Sequence, residues 1–128
     1  MNWINLIDKN TLEKIKTDSV LKTAVLFKHS TRCSISRMAL KNFEIDSTIL
    51  NNEKFDFYYL DLLAHRDISN AIADVFDVMH QSPQLLLIKN TTKLLCRLYN
   101  LSLGYHAMQS NTICNVFIIL FYNKPQVY

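Results

Sequence analysis

Three short apolar runs, separated by segments of helical periodicity, constrain the fold of this chain more than any other feature. The runs lie at residues 23–27, 55–60 and 84–89 and are rich in the aliphatic and aromatic side chains of buried strands. Between them, residues 33–45 and 67–76 repeat apolar side chains at the spacing of one helix face. This alternation predicts a sheet with helices packed against it.

A further helix is predicted near the start of the chain, capped by Asn10 or Thr11 and continuing to about Thr17. The order is then α-β-α-β-α-β, in which two parallel strands joined by a right-handed crossover predict the front of an α/β sandwich. Asn90 is expected to turn the chain after the third strand, because asparagine adopts a positive φ at low cost. Further along, the periodicity weakens, and residues 113–122 fit a strand or a buried helix.

Length and composition are those of one globular domain. The chain has 128 residues, of which 49% are hydrophobic and 20% charged, so it can bury a core without a disulfide or a structural metal. Its net charge of +3 comes from scattered lysines and arginines that form no basic stripe. Nucleic acid is therefore not an expected partner.

Two features of the sequence predict a cytoplasmic protein. Polar residues interrupt the first ten positions, so the basic and apolar pattern of a secretory signal is not seen there. The longest apolar run, residues 116–122, is far shorter than the roughly 20 residues that span a bilayer as a helix. No membrane association is expected, and in a reducing cytoplasm the cysteines are expected to be free thiols.

The three cysteines, Cys33, Cys96 and Cys114, are widely spaced and match neither a zinc ligand set nor a dithiol motif. The four histidines also lack metal-binding spacing, and no metal is expected. Cys96 and Cys114 lie among apolar residues without a local charge partner, which favours buried, inert thiols over resolving thiols. Cys33 differs from both in its position.

Cys33 stands where the first predicted strand gives way to a helix. The unpaired backbone N–H groups of a first helical turn stabilise a thiolate at such a position. Arg32 and His29 are expected to add positive charge nearby. Because the thiolate is the species that attacks disulfides, this placement predicts thiol exchange at Cys33. The alternative is that Cys33 is a small buried hydrophobic residue.

Four segments carry a resemblance to a known family: residues 27–36, which read FKHSTRCSIS, residues 59–62, residues 66–69, and residues 82–89, which read SPQLLLIK. In these segments the chain resembles the monothiol bacilliredoxins (YtxJ-like), from Gram-positive bacteria that use the low-molecular-weight thiol bacillithiol. The likeness covers about residues 1–90. It implies an α/β fold of the thioredoxin-like type, a three-layer α/β/α sandwich.

The resemblance also implies an enzyme, a thiol-disulfide oxidoreductase that removes bacillithiol from mixed disulfides on proteins. Cys33 would be the nucleophile, and Ser36 stands where dithiol thioredoxins carry a resolving cysteine, so another thiol must restore Cys33. No cofactor is bound in this scheme. Bacillithiol is a co-substrate, and the partners are bacillithiol-modified proteins and a low-molecular-weight thiol. Ser36 itself is either an ordinary exposed helix residue or a hydroxyl that donates a hydrogen bond to the thiolate.

The other expected site residues flank the cysteine and the third strand. By the resemblance, Thr31, Arg32 and Ser34 bind substrate, together with Ser82 and Pro83. The bond before Pro83 is expected to be cis, with Ser82 offering main-chain hydrogen bonds to a bound peptide or thiol. Ser34 departs from the family, which usually has proline after the cysteine, so the first helical turn is expected to be less rigid.

Residues 91–128 match neither the family nor the pattern of a thioredoxin-like end, which needs a hairpin partner for the third strand and a covering helix. They include the aggregation-prone run at 116–122. We therefore predict a thioredoxin-like core over residues 1–90, incomplete or altered at its C-terminal end, followed by an atypical segment. One hypothesis is a shift of the coding frame near Asn90, which the nucleotide sequence would test.

Three functions are compatible with these patterns. The first is thiol exchange through Cys33. The second is a redox-inert interaction module with a thioredoxin fold, or a remnant that has lost turnover. The third is a peroxide-reducing or sensor thiol, which would accumulate sulfenic acid on Cys33 instead of mixed disulfides.

Overall fold

The computed structural model describes residues 1–46 and 53–98, which form a sheet with helices on both of its faces. The elements follow one another as β1 (Trp3–Asn5), α1 (Lys9–Asp18), β2 (Thr23–His29), α2 (Ser34–Asp46), β3 (Phe55–Asp61), α3 (Arg66–Phe76), β4 (Gln84–Lys89) and β5 (Thr92–Leu98). The predicted order α-β-α-β-α-β is confirmed for α1 to β4. β1 and β5 are additional strands that were not predicted.

The five strands lie side by side in the order β1-β3-β2-β4-β5. β1, β3 and β2 are parallel, whereas β4 runs antiparallel to β2, and β5 antiparallel to β4. The unit β2–α2–β3 is the predicted parallel crossover. β2 has a hydrogen-bonded neighbour on each side and helices above and below, and for that reason residues 24–29 are all buried.

Alternate side chains of the sheet enter two separate cores. On one face, Leu26 and its neighbours pack against Ile15 of α1 and Ile72 of α3. On the other face, Phe27 and its neighbours pack against Phe43 of α2. One helix therefore covers one face and two helices cover the other, which is the predicted α/β/α sandwich.

Local signals explain where two of the helices begin. Asp8, and not Asn10 or Thr11, caps α1, because its carboxylate accepts a hydrogen bond from the backbone N–H of Thr11 at 2.7 Å. In α3 the N-cap position belongs to His65, which makes no side-chain cap hydrogen bond. Asp67 lies in the first turn, where a carboxylate favours the positive end of the helix.

The turn between β4 and β5 contains two residues with positive φ, Asn90 at 51° and Thr91 at 63°. Asn90 was expected there, whereas a β-branched residue such as Thr91 is less suited to that region. Ser19 supports both residues, accepting the N–H of Asn90 at its carbonyl (3.0 Å) and that of Thr91 at its hydroxyl (2.9 Å). β5 is the hairpin partner of β4, so the expectation that residues 91–128 supply none is wrong.

Other predictions for the C-terminal part concern residues that are not described. Residues 99–128, which include Cys114 and the apolar run at 116–122, lie outside the described residues. Cys96 lies in β5, and only its backbone is described. The division of the chain at residue 90 and the hypothesis of a shifted coding frame stay predictions.

Candidate active site

The two sequence motifs converge at one edge of the sheet. β2 and β3 are parallel, and their last residues, His29 and Asp61, lie opposite each other in register. β4 runs the other way and begins beside the end of β2, where Gln84 pairs with Lys28. The segment that follows β2 and the segment that precedes β4 therefore meet at the same edge. The first of these segments carries Cys33, which is described next.

Cys33 holds the N-cap position of α2. Its carbonyl accepts a hydrogen bond from the N–H of Arg37, and its own N–H donates to the carbonyl of Ser30, both at 3.1 Å. Because the helix begins at Ser34, the unpaired N–H groups of its first turn follow the cysteine directly. The thiol is free and partly exposed. The alternative of a fully buried hydrophobic residue is therefore wrong.

Ser36 lies inside the protein. It is fully buried, its Oγ is 2.7 Å from Nδ1 of His29, and it accepts a hydrogen bond from the N–H of Ser30 at 3.0 Å. The alternative of an exposed helix residue is wrong. A hydroxyl has one proton, so a hydrogen bond donated to His29 competes with one donated to the sulfur of Cys33. A role for Ser36 at the thiolate stays a prediction.

His29 is a buried aromatic partner more than a source of charge. Its ring packs beside Tyr59, with 5.6 Å between ring centroids, and beside Phe27 at 6.3 Å. Burial lowers the pKa of His29 below its ordinary 6.5, although the negative charge of Asp61 opposes this shift. At neutral pH the ring is therefore mostly uncharged, and the expectation that it adds positive charge beside Cys33 is wrong.

The predicted substrate-binding residues beside the cysteine lie on the surface. Thr31, Arg32 and Ser34 are all exposed. Arg37, which the sequence analysis did not select, reaches back to this segment: its Nη1 lies 3.5 Å from the carbonyl of Thr31, at the limit of a hydrogen bond. The available signal was its spacing, because a residue four positions after the N-cap lies one helical turn above it.

The Ser82–Pro83 peptide bond is cis, as expected. Pro83 is buried, and Ser82 is exposed. The preceding loop is attached to β4 by Gln84, whose Nε2 donates to the carbonyl of Met79 at 2.9 Å. An exposed Ser82 at the edge that carries Cys33 agrees with main-chain contact to substrate, and that contact stays a prediction.

A second polar group of side chains lies under the same edge, on the face that α3 covers, and no sequence pattern predicted it. Lys28 is fully buried in β2, and its Nζ lies 2.9 Å from Nδ1 of His80. Oγ of Ser69 lies 3.2 Å from the same nitrogen. Burial lowers the pKa of His80, and the positive charges of Lys28 and Arg66 lower it further. We call Lys28, Ser69 and His80 the basic cluster.

Two further findings hold for residues 1–46 and 53–98. Within these ranges, His, Cys, Asp and Glu form no group of three or more that could hold a metal ion. None of the helices in this part of the chain has the length and apolar character needed to cross a membrane.

Comparison with known proteins identifies the family. The profile of the family described as monothiol bacilliredoxin BrxC matches residues 4–97, which is well over half of the chain and includes Cys33 and Pro83. The chain belongs to the monothiol bacilliredoxin family. The family match also runs past Asn90 and through most of β5, further than the resemblance in the sequence segments.

Solved structures with the thioredoxin fold are similar to this chain. A protein described as a candidate oxidoreductase with a thioredoxin fold has a TM-score of 0.64 and 29% identity, covering 74% of this chain and 80% of that chain. The thioredoxin of Malassezia sympodialis has a TM-score of 0.62 at 17% identity, covering 77% and 78%. Thioredoxin NaTrxh from Nicotiana alata has a TM-score of 0.58 at 18% identity, covering 75% and 79%. The predicted thioredoxin-like fold is confirmed, and family and fold together support a thiol oxidoreductase-like role.

Proposed function

We propose that this chain removes bacillithiol from mixed disulfides on proteins and that Cys33 is its single nucleophile. The observation that carries the proposal is the partly exposed thiol at the N-cap of α2, in a chain of the monothiol bacilliredoxin family. Ser36 supports the monothiol assignment, because a buried hydroxyl with two partners stands where a second thiol would be needed. The exchange needs a free Cys33 thiol, so the proposed location is the reducing cytoplasm.

In the first step the Cys33 thiolate attacks the bacillithiol sulfur of a protein–bacillithiol disulfide. A disulfide forms between Cys33 and bacillithiol, and the bond between bacillithiol and the target protein breaks. The target leaves as a thiolate and takes a proton from solvent. The N–H groups of the first turn of α2 favour this step, because they stabilise negative charge on the attacking sulfur.

In the second step another thiol restores Cys33. Position 36 is a serine and not a cysteine, so the motif that begins at Cys33 cannot form an internal disulfide. The thiolate of free bacillithiol attacks the adduct, which releases bacillithiol disulfide and returns the Cys33 thiolate. A thiol of a partner protein could replace bacillithiol in this step with the same balance of bonds.

Substrate would approach across the sheet edge between the two motifs. In this proposal the exposed residues Thr31, Arg32 and Ser34 would contact substrate on the cysteine side, and Ser82 and Pro83 would contact it from the segment that precedes β4. The backbone of Ser82, which precedes the first residue of β4, would form main-chain hydrogen bonds with the extended chain of the target or with the bound thiol.

The test is a turnover assay with a bacillithiol-modified target protein and free bacillithiol as the reductant. Release of the target thiol should fall to the uncatalysed rate in Cys33→Ser. Serine is chosen because it is a good N-cap residue and is nearly the same size as cysteine. Cys96→Ser and Cys114→Ser are the matched controls and should keep the wild-type rate. Equal rates for wild type and Cys33→Ser would contradict the proposal.

A further inference from the structure

A buried lysine beneath the candidate active site determines the state of a neighbouring histidine. Lys28 is fully buried next to the last residue of β2, and an ammonium is stable there only when its protons are hydrogen-bonded. Its Nζ lies 2.9 Å from Nδ1 of His80. An ammonium has protons to donate and no acceptor, so Nδ1 is the acceptor and the proton of the neutral ring resides on Nε2.

Ser69 lies beside the same ring nitrogen. Its Oγ is 3.2 Å from Nδ1, so Ser69 and Lys28 both contact the ring at this atom. His80 as a whole is exposed, although Nδ1 faces the buried Lys28. The edge of the ring that carries the Nε2 proton is therefore the edge open to solvent. The basic cluster thus presents one fixed hydrogen-bond donor at the surface.

The electrostatics around that donor favour an anion. Lys28 and Arg66 are both positive and near enough to lower the pKa of His80, after the larger effect of burial. A carboxylate at Nε2 would accept a hydrogen bond and also lie in the field of both cations, whereas a neutral group would gain only the hydrogen bond.

The position of the donor links it to the thiol chemistry. Lys28 is five residues before Cys33, and it pairs in the sheet with Gln84, which follows Pro83 directly. His80 is in the loop that leads to Pro83. His80 and Cys33 therefore belong to segments that meet at the same edge of the sheet, and His80 is three residues before Pro83.

We propose that His80, held by Lys28 and Ser69, donates its Nε2 proton to a carboxylate on the low-molecular-weight thiol that exchanges with Cys33. The identity of the ligand as a thiol co-substrate rests on the proposed function. The site selects small thiols whose unreactive portion carries a carboxylate over neutral thiols of equal size. His80 is then a residue that determines specificity, and Lys28 is a positioning residue.

Binding can be tested without turnover by two unreactive probes that differ only in charge, S-methyl-N-acetylcysteine and its carboxamide. Titration of the full chain, followed by the NMR signals of the His80 ring, should show tighter binding of the carboxylate by about tenfold, as a charge-assisted hydrogen bond would give. His80→Ala should lose this preference, whereas His80→Gln should keep much of it because its amide can donate from a similar position. Equal binding of both probes, or no change at His80, would overturn the proposal.

Lys16→Gln is a matched control for the loss of one positive charge. Lys16 is in the last turn of α1, which leads into the start of β2, so it lies at the opposite edge of the sheet. The preference for the carboxylate should be unchanged in this variant. A loss as large as that of His80→Ala would show that net charge alone creates the preference, which would overturn the proposal.

The role of Lys28 has its own spectroscopic readout. In the wild type, the nitrogen-15 shifts of His80 at neutral pH should show Nδ1 without a proton and Nε2 with one. Lys28→Met keeps an unbranched apolar chain, and it should shift the ring towards a mixture of tautomers and weaken the preference for the carboxylate probe. The wild-type shifts decide the question even where Lys28→Met does not fold, because a proton on Nδ1 in the wild type would overturn the proposal.

Failure of the binding site and failure of the proposed function are distinguishable. If the carboxylate probe binds more tightly at His80 but Cys33 takes up no thiol from a mixed disulfide, the proposed binding site is supported and the exchange reaction is refuted. If Cys33 exchanges at equal rates with N-acetylcysteine and its carboxamide, and the two S-methyl probes bind equally tightly, the exchange reaction is supported and the proposed binding site is overturned.

Discussion

Replacing Ser36 with alanine should destabilise the protein at the junction between the end of β2 and the start of α2. The buried Oγ of Ser36 lies 2.7 Å from Nδ1 of His29 and accepts the N–H of Ser30 at 3.0 Å. A methyl group can form neither hydrogen bond. Both partners would then lose a bonding group in a region from which water is largely excluded.

The magnitude follows from these two hydrogen bonds. Each contributes about 1 kcal/mol net to the free energy of unfolding, which gives about 2 kcal/mol for the pair, and more where a buried group stays unsatisfied. Alanine has the higher helix propensity and offsets about 0.5 kcal/mol of this loss. We therefore expect Ser36→Ala to lower the free energy of unfolding by about 1.5–2.5 kcal/mol.

Urea unfolding followed by the fluorescence of Trp3, the single tryptophan, measures this loss. With a slope of about 2 kcal/mol/M, the midpoint should fall by about 1 M. Ser34→Ala is the matched control, because Ser34 is on the same helix but exposed, and its midpoint should change by less than about 0.25 M. Equal midpoints for Ser36→Ala and Ser34→Ala would refute the reasoning.

Three further predictions concern the site and its support. In Ser36→Cys a second thiol should displace bacillithiol from Cys33, so mass spectrometry should find an internal disulfide and no lasting adduct. The free energy of unfolding should fall as the pH drops below 6.5, because the pKa values of His29 and His80 are lowered in the folded state and the unfolded chain binds protons first. Urea midpoints measured at a series of pH values below 6.5 test this fall. Phe43→Ala should cost about 3–5 kcal/mol in urea unfolding, because it empties a buried site under α2.

Each of these predictions has a control and a contradicting outcome. Ser34→Cys is the control for Ser36→Cys, because it places a thiol outside the spacing of a dithiol motif. A bacillithiol adduct that persists on both variants would contradict the prediction for Ser36→Cys. His29→Asn should flatten the pH dependence, with the remainder due to His80, and an unchanged slope would contradict the second. Met38 is exposed on the same helix, so Met38→Ala should have a small effect, and an equally small effect for Phe43→Ala would contradict the third.

Much of the fold could be predicted because its signals are local. β4 was predicted with its observed bounds, since Pro83 and Asn90 delimit a continuous apolar run. β1 was missed because three residues carry no periodicity, and its place in the sheet depends on pairing with the distant β3. β5 was missed because apolar and polar residues alternate poorly along it. Its pairing with β4 also contains a register shift between Leu87 and Ile88, which has no signature in the sequence.

The candidate site divides in the same way. Cys33 and the cis bond before Pro83 were predicted because each belongs to a short contiguous motif. The partners of buried polar groups could not be predicted, because tertiary packing sets them. Lys28 and His80 are 52 positions apart in sequence, and Lys28 stands in the chain as one charged residue after an apolar run.

The most direct test of the central claim is a single turnover read by intact-mass and peptide mass spectrometry. The protein is mixed with an equimolar amount of a bacillithiol-modified target. No other thiol is added, and the reaction is quenched with acid. The account predicts one bacillithiol on Cys33, an equal amount of freed target, and neither product with Cys33→Ala. A target that keeps its bacillithiol, an adduct on another cysteine, or sulfenic acid on Cys33 in place of the adduct would contradict it.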